Sequence, residues 1–414
     1  LSFFCLSSFN FGKEQSNFSL ISSSPLKTEI SFKVNEPNIN KDNSLHKFEI
    51  DELAGRTMDE GSPQLPIFST LFKINPAKKY DITYEILDSY SIQDINFKNY
   101  KSINSNSESV YPLENMYVSE PEVMRDLVLH QIGFIPYKYF PNESRLEVYS
   151  EVKINISEIG ESDNNYNLPQ KKSRVFEELY RNSIINHNPS NRSEDYQTPS
   201  ILYICGGSSC DNNYFQDLVL WRHKQGYEVN VVPTSVSGSS ESAINNFISN
   251  AYYTWANPPE IVGLVGDVGG SYNIACDMYE WGSGWYGYSG ASDVKYTYIA
   301  GNDLLPEVVI GRISADNSSD LNNIINKTIQ YEKAQLQTDL GWFERAALIG
   351  DPSQSGLSCA ITNQWIKELM IQYGFEDVAA DLNGGGSQLE NFLNDNFNEG
   401  IMYYNYRGIY GSPG

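Results

Sequence analysis

Apolar positions along the chain change rhythm once, near Pro199. Before it, short alternating or apolar stretches are split by Asn, Pro and Ser, at 29–34, 64–74, 80–87, 126–135 and 145–156. This texture predicts antiparallel strands in a β-rich, sandwich-like domain over 17–157. Residues 158–199 carry mostly polar and charged side chains apart from 175–180, and read as a linker. After Pro199 short continuous apolar strands alternate with helical periods. Ile244, Phe247, Ile248, Ala251, Tyr252 and Trp255 line one face of a helix. Strands are predicted at 201–205, 228–232, 261–265 and 308–310, with helices at 212–225 and 321–331, the latter begun by Asn317 or Ser318. The alternation restarts at Arg345: strand 346–349, helix 357–373 closed by Gly374, strand 375–380, a helix opened by the Ser387 to Glu390 capping box, and strand 401–406. Buried strands alternating with helices imply parallel sheets covered on both faces. The expected fold class is therefore α/β, in two adjacent subdomains over 200–338 and 339–414, preceded by the β-rich domain.

In parallel sheets, reactive groups gather where strands end. Three strand ends carry candidates: Gly266-Asp267, Gly350-Asp351 and Tyr406-Arg407-Gly408. Helix capping and turn formation compete with chemistry at each.

Charge narrows the partners. A net charge of −23 over 414 residues argues against nucleic acid, whose phosphates are bound by clustered Lys and Arg. Residues 1–16, beginning Leu1-Ser2-Phe3-Phe4-Cys5, resemble the apolar end of a secretory signal peptide, and no later run reaches the roughly 18 apolar residues a membrane helix needs. Export permits a disulfide drawn from Cys205, Cys210 or Cys276, with buried thiols as the alternative.

The order of motifs then resembles a family. Leu264-Val265-Gly266-Asp267, Ser292-Asp293-Val294-Lys295-Tyr296, Gly301-Asn302-Asp303, Pro306 to Ile313 and Tyr331-Glu332-Lys333 look like the first subdomain of the gingipain-type cysteine peptidases. Gln372 to Phe375 and Asn398 to Gly408 look like the caspase-like second subdomain. Gly61 to Pro66 and Leu146 to Tyr149 resemble the β-rich propeptide of the same family.

The resemblance implies a cysteine endopeptidase acting on protein or peptide substrates, secreted or on the surface of a bacterium. In such an enzyme a thiolate attacks the peptide carbonyl, an imidazole moves the proton and backbone N–H groups hold the oxyanion. It places the His at Ile409 or Tyr410, the Cys beyond Gly414, and Asp351 near the acidic partner of the His. Gly408 and Gly411 flank that base position, and since Gly-rich turns expose backbone N–H groups they are expected in the oxyanion cradle, with a positive φ as the alternative reason for glycine. Neither Ile nor Tyr replaces an imidazole near neutral pH. His46, His130, His187 and His223 lie away from strand ends. Cys359 falls about where arginine-specific members carry an acid, so arginine specificity is not supported. The family also suggests structural Ca2+ held by Asp293, Asp303 and Glu307, since loop carboxylates suit that ion. The insertion 269–290, rich in Gly, Tyr and Trp, reads as a cleft lining or an exposed loop. Against the peptidase stands a non-catalytic relative that kept the fold and lost the dyad.

Overall fold

The structure is a computed structural model that describes residues 17–24, 26–42, 45–49, 54–100, 110–281, 288–333, 340–383 and 386–408. The expected leader, Ile409, Tyr410 and Gly411 lie outside the described residues.

Alternation in the N-terminal third produces two five-stranded antiparallel sheets. In one, the long strand Arg145–Glu161 pairs with Lys27–Lys33 and with Lys78–Ile92. In the other, Leu127–Phe134 pairs with Pro66–Ile74 and with the short strand Glu122–Met124. Ile30, Phe32, Val152 and Ile154 share a buried core with Phe68, Ile132 and Phe134 from the second sheet. Because side chains alternate between faces, the hydrophobic half of each strand fills this core, the packing of a β-sandwich.

The polar segment 158–199 contains more structure than a linker. Ser173 caps the helix Arg174–Ser183 by accepting from Phe176 N. Phe176, Tyr180 and Ile184 then pack with Leu71, Met124 and Leu129 of the sandwich and with Leu305.

From Ser200 onward, four parallel strands run in the order Glu228–Pro233, Ser200–Cys205, Ile261–Val265, Val309–Ile313. Ser200–Cys205 is buried at every position, as an inner strand covered on both faces must be. The helix Glu241–Thr254 places Ile244, Ile248 and Ala251 in the core beside Leu202, Ile204, Val262 and Leu264. Asn317 accepts from Ser319 N and Asp320 N, so it, rather than Ser318, caps the helix Ser318–Glu332. The insertion forms an exposed antiparallel hairpin, Asp277–Trp281 with Tyr288–Ser292.

The described residues part into two compact units between Ile325 and Asn326. The second has a three-stranded parallel sheet with Arg345–Gly350 in the middle, Asp377–Asp381 on one side and Tyr403–Arg407 on the other. Helix Ser358–Gln372 packs on it, with Ile366 and Met370 against Ala346, Leu348 and Val378.

Candidate active site

The three strand-end candidates belong to two sheets, not to one edge. Asp267 ends a strand of the first, whereas Asp351 and Arg407 end neighbouring strands of the second. The carboxyl edge of the first sheet is closed by its own chain. Gly266 has φ +151, and any side chain there would run into the backbone of Tyr272. Arg312 fastens the same region by donating to Gly266 O, Ile274 O and Ala275 O. Cys205 and Cys210 form a disulfide there, leaving Cys276 half-buried and Cys359 buried as free thiols among the described residues.

The carboxyl edge of the second sheet brings polar side chains together. Register pairs Gly350 with Arg407, and Asp351 N donates to Arg407 O at 2.9 Å. Asp351 is buried. Its Oδ1 accepts from Ser353 Oγ at 2.5 Å and from Ser353 N at 2.9 Å, which caps the turn Pro352–Ser355. Tyr406 Oη donates to Oδ2 at 3.3 Å. The Ser353 hydroxyl and amide hold this carboxyl below the usual aspartate range, with Tyr406 adding to them. Asp351 is therefore an anion with one oxygen only loosely engaged.

Gly408 is required by close approach rather than by a left-handed backbone. An added Cβ would lie 2.7 Å from Tyr406 Cζ and 2.9 Å from Asp351 Cβ. Behind this edge Asn363, fully buried, donates to Ile349 O at 2.6 Å and accepts from Asn405 Nδ2 at 2.6 Å. Sequence reasoning singled out Tyr406 as a strand-end candidate but missed Ser353, Asn363 and Asn405; the polar Asn at an otherwise helix-buried position was the available signal. Cys359 sits in the first turn of helix Ser358–Gln372, only 5% exposed, and is closed to a peptide substrate.

Each histidine is engaged locally. His46 Nδ1 contacts Asn96, His130 Nδ1 contacts Ser119 O at 2.8 Å, and His223 Nδ1 contacts Tyr227 O at 3.2 Å. His187 is buried with Nε2 on Glu177 at 2.8 Å, and burial lowers its pKa.

The three carboxylates considered for Ca2+ do not converge. Asp293 takes both ends of the Arg312 guanidinium, at 2.9 and 2.7 Å. Asp303 accepts from Val123 N and Leu305 N. Glu307 accepts from Ile299 N at 2.7 Å and Ala300 N at 3.0 Å. Among the described residues no group of three or more His, Cys, Asp or Glu is placed to hold a metal ion. No helix of the described residues is long and apolar enough to cross a membrane.

Known proteins are similar to this chain in sequence. Gingipain R2 of Porphyromonas gingivalis is 27% identical over 379 residues, covering 84% of this chain and 49% of that protein. Lys-gingipain W83 of the same species is 23% identical over 297 residues, covering 68% of this chain and 16% of that protein. The chain thus spans about half the length, or less, of these curated relatives. The crystal structure of the Arg specific cysteine proteinase gingipain R (RgpB) matches at 27% identity with a TM-score of 0.41, covering 54% of this chain and 49% of that one. The complex of Porphyromonas gingivalis RgpB pro- and mature domains matches at 19% identity with a TM-score of 0.34, covering 42% of this chain and 98% of that one. The family's propeptide, Propeptide_C25, matches residues 74–194, on the sandwich and the helical segment after it. Peptidase family C25 matches residues 194–413, from the start of the parallel strands through the Asp351, Tyr406 and Gly408 cluster, and the chain belongs to that family.

Proposed function

We propose that the protein is a secreted cysteine-type endopeptidase of the gingipain type, carrying its propeptide as the N-terminal sandwich, with the carboxyl edge of the second sheet as its catalytic edge. The observation that carries this reading is the buried, ionised Asp351 beside the strand end Tyr406-Arg407-Gly408, within a segment matched by the peptidase family. An anion fixed by Ser353 is suited to orient an imidazole and to stabilise its protonated form during thiol attack. No Cβ fits at Gly408, and a glycine at a strand end lets a substrate carbonyl approach its backbone N–H, which suits an oxyanion cradle. The Cys205–Cys210 disulfide suits an oxidising compartment, in line with export.

A second reading has its own observation. Ile409 and Tyr410 occupy the stretch where the family resemblance expects the His. A relative with that substitution would keep the fold as a binding surface without turning over peptides.

The test is hydrolysis of a denatured protein substrate by the natural full-length protein, with and without thiol alkylation. Alkylation-sensitive cleavage that falls at least about tenfold in Asp351→Asn supports the peptidase, because a mis-oriented base costs orders of magnitude. No cleavage by a folded, reduced, full-length protein establishes the binding relative instead. Residues 1–414 alone are expected to hydrolyse no peptide bond.

A further inference from the structure

Arginines beside the parallel sheets contrast in how their donors are used. Arg125 sits in the tight turn between strands Glu122–Met124 and Leu127–Phe134 of the sandwich, at φ +49, and is fully buried. Its Nη1 donates to Pro259 O at 2.9 Å and Glu307 O at 2.8 Å, and its Nη2 to Gln197 Oε1 at 3.0 Å and Pro258 O at 3.3 Å. Gln197 precedes strand Ser200–Cys205, Pro258 and Pro259 precede Ile261–Val265, and Glu307 precedes Val309–Ile313, so one planar fork joins the amino ends of three adjacent parallel strands. Arg312 commits its guanidinium to Asp293 and to the carbonyls of Gly266, Ile274 and Ala275. Arg345 donates to Gly400 O at 2.9 Å and Glu399 O at 2.7 Å. All three are structural.

Arg407, the last residue of strand Tyr403–Arg407, is the opposite case. Its side chain is exposed and makes no hydrogen bond or ion pair with the described residues. Its backbone is bonded to Asp351, yet the Asp351 carboxylate takes Ser353 and Tyr406 as partners, so the neighbouring anion does not neutralise the guanidinium. Register fixes the face on which Arg407 stands. Side chains two apart on a strand share a face, and Asn405 donates to Asn363 of helix Ser358–Gln372. Gly350, in register with Arg407, meets the first turn of the same helix: a Cβ added there would lie 2.8 Å from Ala360 Cα and 2.9 Å from Cys359 O. Arg407 therefore stands on the helix face of the carboxyl edge, level with Cys359 and next to Gly408 along the chain. At that level Cys359 supplies a buried thiol rather than a carboxylate. The other segments that make this edge, within 350–366 and 381–400, contain no Lys or Arg.

We propose that Arg407 sets the substrate class of this edge: the peptides it takes carry a carboxylate side chain, Glu or Asp, on the residue that precedes the scissile bond. The inference rests on the reading of this edge as the catalytic one. When the Gly408 N–H receives the scissile carbonyl oxygen, the residue that owns that carbonyl lies closest to Arg407, one position back along the chain. A guanidinium grips a carboxylate through two parallel hydrogen bonds and repels the side chains of Lys and Arg. The chain as a whole, at a net charge of −23, disfavours acidic peptides at long range, so a preference for them has to come from a local cation. Arg407 is that cation.

The experiment uses the natural full-length protein and three fluorogenic peptides, acetylated at the amino end, that differ only in carrying Glu, Gln or Lys before the scissile amide. The Glu peptide is expected to exceed the Gln peptide about tenfold in kcat/KM, with the Lys peptide the poorest. Arg407→Gln should bring the Glu and Gln peptides within about twofold of each other, and Arg407→Glu should put the Lys peptide first, a reversal that loss of packing cannot produce. Both variants should keep the parent's denaturant midpoint, since the side chain they replace is exposed and unpartnered. If Arg407→Glu does not fold, Arg407→Gln decides. The same three sequences, made as labelled peptides that cannot be cleaved, give the order of affinity by fluorescence anisotropy whether or not the protein turns over. Glu-first binding without cleavage keeps this inference and sinks the peptidase. Cleavage that does not favour Glu, or a preference that survives Arg407→Gln, overturns this inference and leaves the peptidase standing. A folded protein that neither binds nor cleaves any of the three overturns both.

Discussion

Replacing Glu307 by glutamine should flatten the acid-to-neutral dependence of stability. Glu307 is fully buried, one carboxylate oxygen accepts two backbone amides, and the other has no hydrogen-bond partner. Burial, reinforced by nearby Asp303, raises its pKa from 4.5 to about 7. Between those values the folded chain holds a proton that the unfolded chain has released. Stability therefore declines as pH rises through that window and levels off above it. At about 1.4 kcal/mol per pKa unit, the decline amounts to roughly 3 kcal/mol. Glutamine keeps an acceptor for Ile299 N and Ala300 N and removes the titration. Urea unfolding at pH 5 and pH 8 reads the difference directly: the parent should lose about 3 kcal/mol more between the two than Glu307→Gln does. Glu122, raised to about 7 mainly by burial, keeps some slope in both proteins. Equal losses in parent and variant would show that Glu307 is already hydrated or that another group sets the profile.

Reducing the Cys205–Cys210 bridge should cost about 2 kcal/mol, the small value expected for so short a closed loop, read as a lower Tm in dithiothreitol that Cys205→Ala does not share. Gly408→Ala should destabilise the second unit by about 1–3 kcal/mol through overpacking against Tyr406, and Tyr406→Ala should relieve that loss in the double variant; unchanged denaturant midpoints would refute the contact. Limited proteolysis should cut first at the exposed stretches around Asp163 to Asn165 and Asn191 to Glu194, and mass spectrometry of early fragments should find the helix Arg174–Ser183 intact. Early cleavage within that helix would contradict its packing.

Legibility followed the range of the interactions. The stripe from Ile244 to Trp255 was readable because a helix face is encoded within one short window, and it is now the cover of the first sheet. The parallel strands were readable because a short apolar run between two helical periods needs cover on both of its faces, which the flanking helices supply. The hairpin Asp277–Trp281 with Tyr288–Ser292 was not, since Met278 and Tyr279 are exposed and supply no alternation. The disulfide was open among three cysteines because pairing depends on Cα separation, 5.5 Å for Cys205 and Cys210, rather than on composition. Asp351 was found by its place after a strand. Its partner Tyr406 was marked at another strand end, but the pairing of the two was not legible, because they meet only through register between strands, 55 positions apart. Arg125 was invisible for a stronger reason: three of its four acceptors are backbone carbonyls, which every residue has.

The order in which these parts are made gives the Arg125 turn a temporal meaning. The sandwich emerges from the ribosome before the first parallel strand exists, and domains generally fold as units, the N-terminal one first. Parallel strands must close long loops before they gain any contact, which makes such sheets slow to assemble and exposed to aggregation. A finished hairpin whose guanidinium fits the starts of three successive strands supplies a template on which each can register as it appears. Refolding of the Arg125→Lys chain from urea should then be slowed by more than its unfolding is accelerated, the signature of a contact already made in the transition state. A chain that instead only unfolds faster would assign the turn to the end of folding, as a clasp closed on a sheet already built.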